Sequence, residues 1–260
     1  MNNDYQQGLN CINISQSYKP LVTVITVVFN GEQFIEQTIL SVINQTYTNI
    51  EYIVIDGGST DGTKDIINKY DENIDYWVSE KDQGIYHAMN KGIARATGQW
   101  INFMNAGDWF FADDVIFSVF QNKNYSNALI VYGNHEVRYH SGRRRIEKAG
   151  QVKNLWKGSQ FCHQAVFVNT QYHKLNKFNT NNKIVADFEF FYRAWKNNAN
   201  LIQVAEVIAS FAAGGVSDVK RFHSILGFWR VVDKSLATNL FYLMYLLKEI
   251  LKLVIKKVIR

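Results

Sequence analysis

Residues 21–29 read Leu-Val-Thr-Val-Ile-Thr-Val-Val-Phe, a nearly unbroken β-branched run introduced by Pro20 and closed by Asn30-Gly31. Such a run, bounded by turn residues, predicts a strand buried on both faces. The period then changes. Over residues 33–44, Phe34, Ile35, Ile39, Leu40, Val42 and Ile43 fall on one helical stripe. The alternation continues, with strands over 52–56, 76–79 and 99–104 and helices over 62–70 and 85–96. Strands alternating with helices of this length predict an α/β fold, a Rossmann-like, mostly parallel sheet with helices on both faces.

The second half has a different texture. Residues 128–132 and 135–139 read as two strands paired around Gly133-Asn134, with Ser141-Gly142 turning the chain again. A strand over 161–168, a helix over 188–196 and a strand over 201–210 follow. The last forty residues read as a separate unit. On a helical wheel Leu243, Met244, Leu247, Ile250, Leu251, Val254 and Val258 take one face, and Lys248, Glu249, Lys252, Lys256 and Arg260 the other. Charges break this apolar pattern well short of the roughly 20 residues that a membrane span needs. A basic amphipathic helix of this kind suits the surface of an anionic membrane.

Composition changes this picture little, and charge placement changes it more. The chain has 260 residues, 47% hydrophobic and 20% charged, which suits an ordered globular core. The net charge is +5. Residues 241–260 hold five basic residues against one acidic, so the excess belongs to the tail and is no nucleic-acid footprint. Cys11 and Cys162 are far apart, with no metal or redox spacing, as expected of a reducing compartment. The N-terminus shows no charged region followed by an apolar run, so a cytosolic location is expected. Residues 1–19 are polar and read as a flexible leader.

The candidate chemistry sits at strand ends. Asn30, Asp56, Asp82 and Asp108 all lie at or just past the carboxyl ends of predicted parallel strands, where α/β sheets bind their ligands. Carboxylates there, beside the start of the helix that opens on Gly84, suit a divalent ion and a diphosphate. Taken singly, each acid is equally a helix cap. No Walker loop, zinc spacing, nucleophile elbow or Gly-x-Gly-x-x-Gly is present.

Several segments then act together. They are Asp56-Gly57-Gly58-Ser59-Thr60-Asp61-Gly62-Thr63, Asp82-Gln83-Gly84 with Ala88-Met89-Asn90-Lys91-Gly92, and Asn105-Ala106-Gly107-Asp108. Cys162-His163-Gln164, Ile184-Val185-Ala186-Asp187-Phe188-Glu189-Phe190 and Phe211-Ala212-Ala213-Gly214-Gly215-Val216-Ser217 join them. With them the chain resembles family 2 glycosyltransferases of the GT-A fold over residues 20–217. Within that family it resembles the bacterial branch that builds colanic acid and related surface polysaccharides.

The resemblance implies an inverting transfer of a sugar from a nucleoside diphosphate to an acceptor hydroxyl, with a lipid-linked saccharide as acceptor at the inner face of the cell membrane. It implies a nucleotide-sugar half over 20–110, an acceptor half over 111–218 and a helical tail over 219–260. Asp187 is the implied base, with Glu189 second. Asn30, Asp56, Asp82, Asn105 and His163 are the implied donor contacts. Asp108 is the implied ligand of Mg²⁺ or Mn²⁺, in a slot where the wider family has Asp-x-Asp and Asn105 replaces the first Asp. The Gly214-Gly215 segment is the implied closing loop. His87 stands where related sequences mostly carry an acid. Two rival readings stand beside it: a nucleotidyltransferase, whose Gly-rich loop is missing here, and a non-catalytic donor-binding or scaffold subunit.

Overall fold

The computed structural model describes residues 19–215 and 219–258. The leader with Cys11, Val216 and Ser217 of the glycine loop, and Arg260 lie outside the described residues, as do the side chains of Lys256 and Val258. The chain opens with β1 (Val22–Val28), α1 (Ile35–Ile43), β2 (Ile50–Asp56), α2 (Thr63–Lys69), β3 (Tyr76–Ser79), α3 (Ile85–Arg95) and β4 (Trp100–Phe103). β1 pairs in parallel with β2 and β4, and β2 in parallel with β3. All seven residues of β1 are buried. Ile25 and Val27 face the layer that holds α3, and Val22, Val24 and Val28 the layer that holds α1. The α/β alternation read from the sequence is therefore present, and its strands all end on one edge.

After β4 the sheet reverses. β5 (Trp109–Phe110), α4 (Val115–Phe120), β6 (Ile130–Arg138), β7 (Arg144–Glu147), β8 (Val166–Asn169), α5 (Thr170–Leu175), α6 (Ala186–Lys196) and β9 (Leu201–Ala212) complete it. The strand order is β3-β2-β1-β4-β8-β6-β9-β5, with β7 on β6. β8 is antiparallel to both β4 and β6, whereas β9 lies parallel to β6.

Two expectations are corrected here. Residues 128–139 do not form a hairpin, because one strand, β6, runs straight through Gly133-Asn134. The register against β9 shifts at this point, and the Glu206 carbonyl lies 2.7 Å from where a Cβ on Gly133 would stand. The glycine thus serves a close backbone approach, not a turn. The turn lies at Ser141-Gly142, between β6 and β7. Likewise the strand expected over 161–168 begins only at Val166 and runs to Asn169, and His163–Ala165 is a 3-10 turn that leads into it.

The tail comprises α7 (Arg221–Val231) and α8 (Leu236–Val258). Both pack on the α6 layer: the rings of Phe188 and Phe228 lie 4.5 Å apart, and those of Trp156 and Phe241 5.3 Å. Tyr242, Leu246 and Glu249 of α8 are buried, and Arg221 and Lys252 reach Glu249. Glu249 therefore belongs to the packed face and not to a solvent face. Leu240, Leu243, Met244, Leu247, Ile250, Leu251 and Val254 remain exposed opposite it.

α5 contributes one titratable core group. His173 is fully buried, stacked on Phe190 at 4.4 Å and edge-on to Phe103 and Phe178. Burial lowers its pKa to about 4. The folded chain thus refuses a proton that the unfolded chain accepts below its ordinary value near 6.5, so stability falls as pH drops from there towards 4. The full loss is roughly 3 kcal/mol. Urea titrations across this range should show that slope in the native chain and a flatter one in His173→Phe; equal slopes would refute the assignment.

Candidate active site

The parallel register sets the donor edge. Gly57 N–H donates to the Val28 carbonyl at 2.8 Å and so ties the β1 and β2 exits together. Asn30 adopts a left-handed conformation (φ 48°), donates its N–H to Ser59 Oγ at 2.7 Å and accepts Thr60 N–H on Oδ1 at 2.9 Å. Asp56 is fully buried beneath this junction, accepting from Ser59 N–H at 3.0 Å, from the Ser59 hydroxyl, and from Ser79 Oγ at 2.5 Å. Asp61 accepts Thr63 N–H at 3.1 Å in the first turn of α2.

Asp82 follows β3. Its side chain is 6% exposed, and Oδ1 receives Lys91 Nζ at 2.6 Å and meets His87 Nδ1 at 2.8 Å. Oδ2 is buried and has no partner. An oxygen left bare in this way calls for a hydrogen-bond donor that the chain itself does not supply. Lys91 also binds Glu80 at 2.7 Å, and Arg95 stacks on the Tyr76 ring at 4.1 Å. The helix cations therefore serve the site's own carboxylates and a ring.

Beyond β4, Asn105-Ala106-Gly107-Asp108 turns back on itself, with Asp108 N–H on the Asn105 carbonyl at 2.9 Å. Burial raises the Asp108 carboxyl above its usual range, against a hydrogen bond from Gln164 and the fields of His163 and Arg138. Gln164 Nε2 donates to Asp108 Oδ2 at 2.7 Å. Arg138 lies flat on Trp109 and donates to the Gly107 carbonyl at 2.6 Å.

Asp187 stands in the first turn of α6, across the cleft and about a quarter exposed. Burial pushes its carboxyl up, but the hydrogen bond and field of His163, Phe188 N–H and the Tyr86 hydroxyl outweigh this and hold it below the usual range. Tyr86 Oη lies 3.0 Å from Asp187 Oδ1, and His163 Nδ1 lies 3.2 Å from Oδ2. On its other side, His163 Nε2 meets Asn105 Nδ2 at 2.9 Å. Glu189, the second candidate, is turned away and held by Asn179, Asn182 and Arg193.

The structure therefore gathers Asn105, Asp108, His163 and Asp187 in one network and Asn30, Asp56 and Asp82 along the neighbouring edge. Tyr86, Gln164 and Arg138 were not singled out from the sequence. Gln164 sits inside a quoted motif beside His163 and Tyr86 stands next to His87, whereas Arg138 carries no local signal. Cys162 offers no nucleophile, since burial pushes its thiol up to about 12. Among the described residues no three His, Cys, Asp or Glu side chains converge as a metal cage. A divalent ion here would take most of its ligands from a diphosphate, as hard cations at nucleotide sites do. Asp108 fits that part, being a half-buried carboxylate whose charged form desolvation disfavours.

Residues 23–195 match the family model described as "Glycosyl transferase family 2", and the chain belongs to that family. It is 30% identical over 207 residues to the "PGL/p-HBAD biosynthesis glycosyltransferase" of Mycobacterium bovis (strain BCG / Pasteur 1173P2), covering 76% of this chain and 80% of that protein. It is 40% identical over 95 residues to the "Putative teichuronic acid biosynthesis glycosyltransferase TuaG" of Bacillus subtilis (strain 168), covering 35% and 38%. Among solved structures it is similar to mannosyltransferase PcManGT from Pyrobaculum calidifontis, in complex with GDP-Man and Mn²⁺. The TM-score is 0.64 at 18% identity, over 85% of this chain and 67% of that one. S. aureus TarS 1–349 in complex with UDP gives a TM-score of 0.62 at 15% identity, over 85% and 69%. The fold is GT-A, and the chain is a glycosyltransferase.

Lys91 is the cation that keeps Glu80 and Asp82 together. Lys91→Met leaves the shielded Asp82 without its closest counter-charge and should cost about 1–3 kcal/mol in urea denaturation. Glu80→Gln, at the exposed end of the same cluster, should cost under about 1 kcal/mol. Equal losses from both variants would contradict this description.

Proposed function

We propose that the enzyme transfers a sugar, with inversion, from a nucleoside diphosphate to an acceptor hydroxyl. The observation that carries the reading is Asp187, an ionised carboxylate held at the cleft by Tyr86 and His163, opposite the acidic donor edge. Nucleoside and ribose lie over Asn30, the Asp56-Ser59 turn and Asp82, whose bare Oδ2 accepts a ribose or sugar hydroxyl. Asn105 and His163 border the sugar-diphosphate side, and Asn105 Oδ1, also buried without a partner, is its spare acceptor. Asp108 would hold Mg²⁺ or Mn²⁺, which would supply charge neutralisation of the leaving diphosphate. As the acceptor oxygen bonds to the anomeric carbon, the bond to the phosphate oxygen breaks and the hydroxyl proton passes to Asp187.

The acceptor we favour is a lipid-linked saccharide of a bacterial surface polysaccharide such as capsule, exopolysaccharide or O-antigen. The mycobacterial and Bacillus relatives named for PGL/p-HBAD and teichuronic acid biosynthesis support this reading, as does α8. No described helix is long and apolar enough to cross a membrane. Yet Met244 is 70% exposed and Leu251 59%, on an apolar stripe bordered by Lys248 and Lys252. A packed helix with such a stripe suits peripheral contact with an anionic inner-membrane surface.

A screen of UDP-, GDP- and dTDP-sugars with Mn²⁺ or Mg²⁺, read as free nucleoside diphosphate, tests the class of donor. One donor should be hydrolysed slowly, and Asp108→Ala should abolish this. With the same donor, Asp187→Asn should lower turnover by about 100-fold or more while calorimetric donor affinity stays within about two-fold. Retained turnover would remove Asp187 from the role of base. For the tail, the chain should sediment with phosphatidylglycerol vesicles and not with phosphatidylcholine, and Met244→Glu/Leu247→Glu should stay in the supernatant with its melting temperature unchanged. Equal binding by both proteins would end the membrane reading.

A further inference from the structure

Four side chains from four separate segments form one hydrogen-bonded line: Asn105 after β4, His163 in the 3-10 turn, Asp187 at the start of α6 and Tyr86 in the first turn of α3. The direction of the line follows from donor chemistry. The Asn105 amide nitrogen faces His163 Nε2 at 2.9 Å, and an amide N–H only donates. Nε2 must accept, which places the ring proton on Nδ1. That proton then points at Asp187 Oδ2, 3.2 Å away, while the Tyr86 hydroxyl, 3.0 Å from Oδ1, holds the other oxygen. Reversing the amide would put an oxygen against Nε2, forcing a proton onto it. The Nδ1 lone pair would then face a carboxylate oxygen unless the ring carried both protons.

We infer that Asn105 and His163 are positioning residues for the base, with Asn105 setting the imidazole tautomer that orients Asp187. The inference rests on the reading of Asp187 as base. It also accounts for the amide at position 105, in the slot where an acid stands in Asp-x-Asp. A carboxylate at position 105 would accept from Nε2–H and, with Asp187 on Nδ1, favour a ring that carries both protons. The amide does the reverse. His163 is 18% exposed and Asp187 26%, so the carboxylate faces the cleft from behind a shielded ring. The same turn carries Gln164 to Asp108, so one short segment orients both the base and the carboxylate on the diphosphate side.

The test begins on the unmodified full chain. Long-range ¹H–¹⁵N spectra of ¹⁵N-histidine-labelled protein at neutral pH report the tautomer of each of the six histidines. His163, assigned by its disappearance in His163→Asn or His163→Gln, should carry its proton on Nδ1. In Asn105→Ala that signature should shift towards the Nε2–H form. A doubly protonated ring, or an Nε2–H tautomer in the native chain, overturns the proposal without any activity measurement. Kinetics with the donor found in the screen supply the second arm. His163→Ala should lower kcat about 10- to 100-fold, the scale seen when a supporting partner is removed, with donor affinity within about two-fold. His163→Asn, which returns an N–H near the Nδ1 position, should recover most of that loss. If donor affinity collapses instead and His163→Asn rescues nothing, His163 is a donor contact and the positioning role is wrong. If Asp187→Asn keeps its turnover, the base assignment itself fails, which separates the two failures.

Discussion

The antiparallel seam between β4 and β8 is the join on which the site depends. Up to β4 the sheet is a set of parallel strands whose ends carry polar residues. At β8 the direction reverses, with Trp100 opposite Asn169 and Asn102 opposite Phe167. Asn102 is fully buried on this seam and donates Nδ2 to the carbonyls of Gln164 and Val166, both at 2.9 Å. An amide buried this deeply is held by its partners, because losing them would leave it desolvated at a cost of about 1–3 kcal/mol. It therefore anchors the turn that carries His163 and Gln164. That turn reaches the exit of β4 on one side and α6 on the other.

Five acids near the cleft differ mainly in how much of their hydrogen-bonding capacity the protein itself consumes. Asp56 is spent on Ser59 and Ser79, and Glu189 on Asn179, Asn182 and Arg193. Those contacts fix both carboxylates in place. Asp82 keeps one buried oxygen bare, and Asp108 takes Gln164 on one oxygen. Asp187 is anchored on both oxygens yet stays part-exposed. A carboxylate carries about four acceptor positions, so unused capacity in a shielded cleft is a functional quantity.

The tail carries two faces that perform different tasks. Trp229 stacks on Tyr242, and Glu249 is drawn in between Arg221 and Lys252, which fixes α8 on the domain. Docking in this way rotates the leucine-rich stripe outward. An apolar stripe this broad, beside lysines, gains by leaving water, and on a helix already anchored little ordering entropy remains to be lost.

Much of the donor half was legible in the sequence because its signals are local. The β-branched run of β1, the 3.6-residue stripes of α1 and α3 and the acids ending each strand depend on neighbours within a few turns of chain. Asp82 and Asp108 were likewise visible as acids at strand ends and Asp187 as an acid at a helix start, whereas His163 and the role of Asp187 came from the resemblance to the family. Tertiary structure decided the rest. Gly133 reads as a turn residue, yet the parallel partner β9, some seventy residues on, makes it a point of close backbone approach. His163 reads as part of a strand, yet the Asn102 anchor makes it the pivot of a turn. Glu249 reads as a solvent charge, and only the packing of α7 reveals it as a buried acceptor. The line from Asn105 through His163 and Asp187 to Tyr86 is written nowhere along the chain, since it exists only when strands far apart in sequence pair in one register.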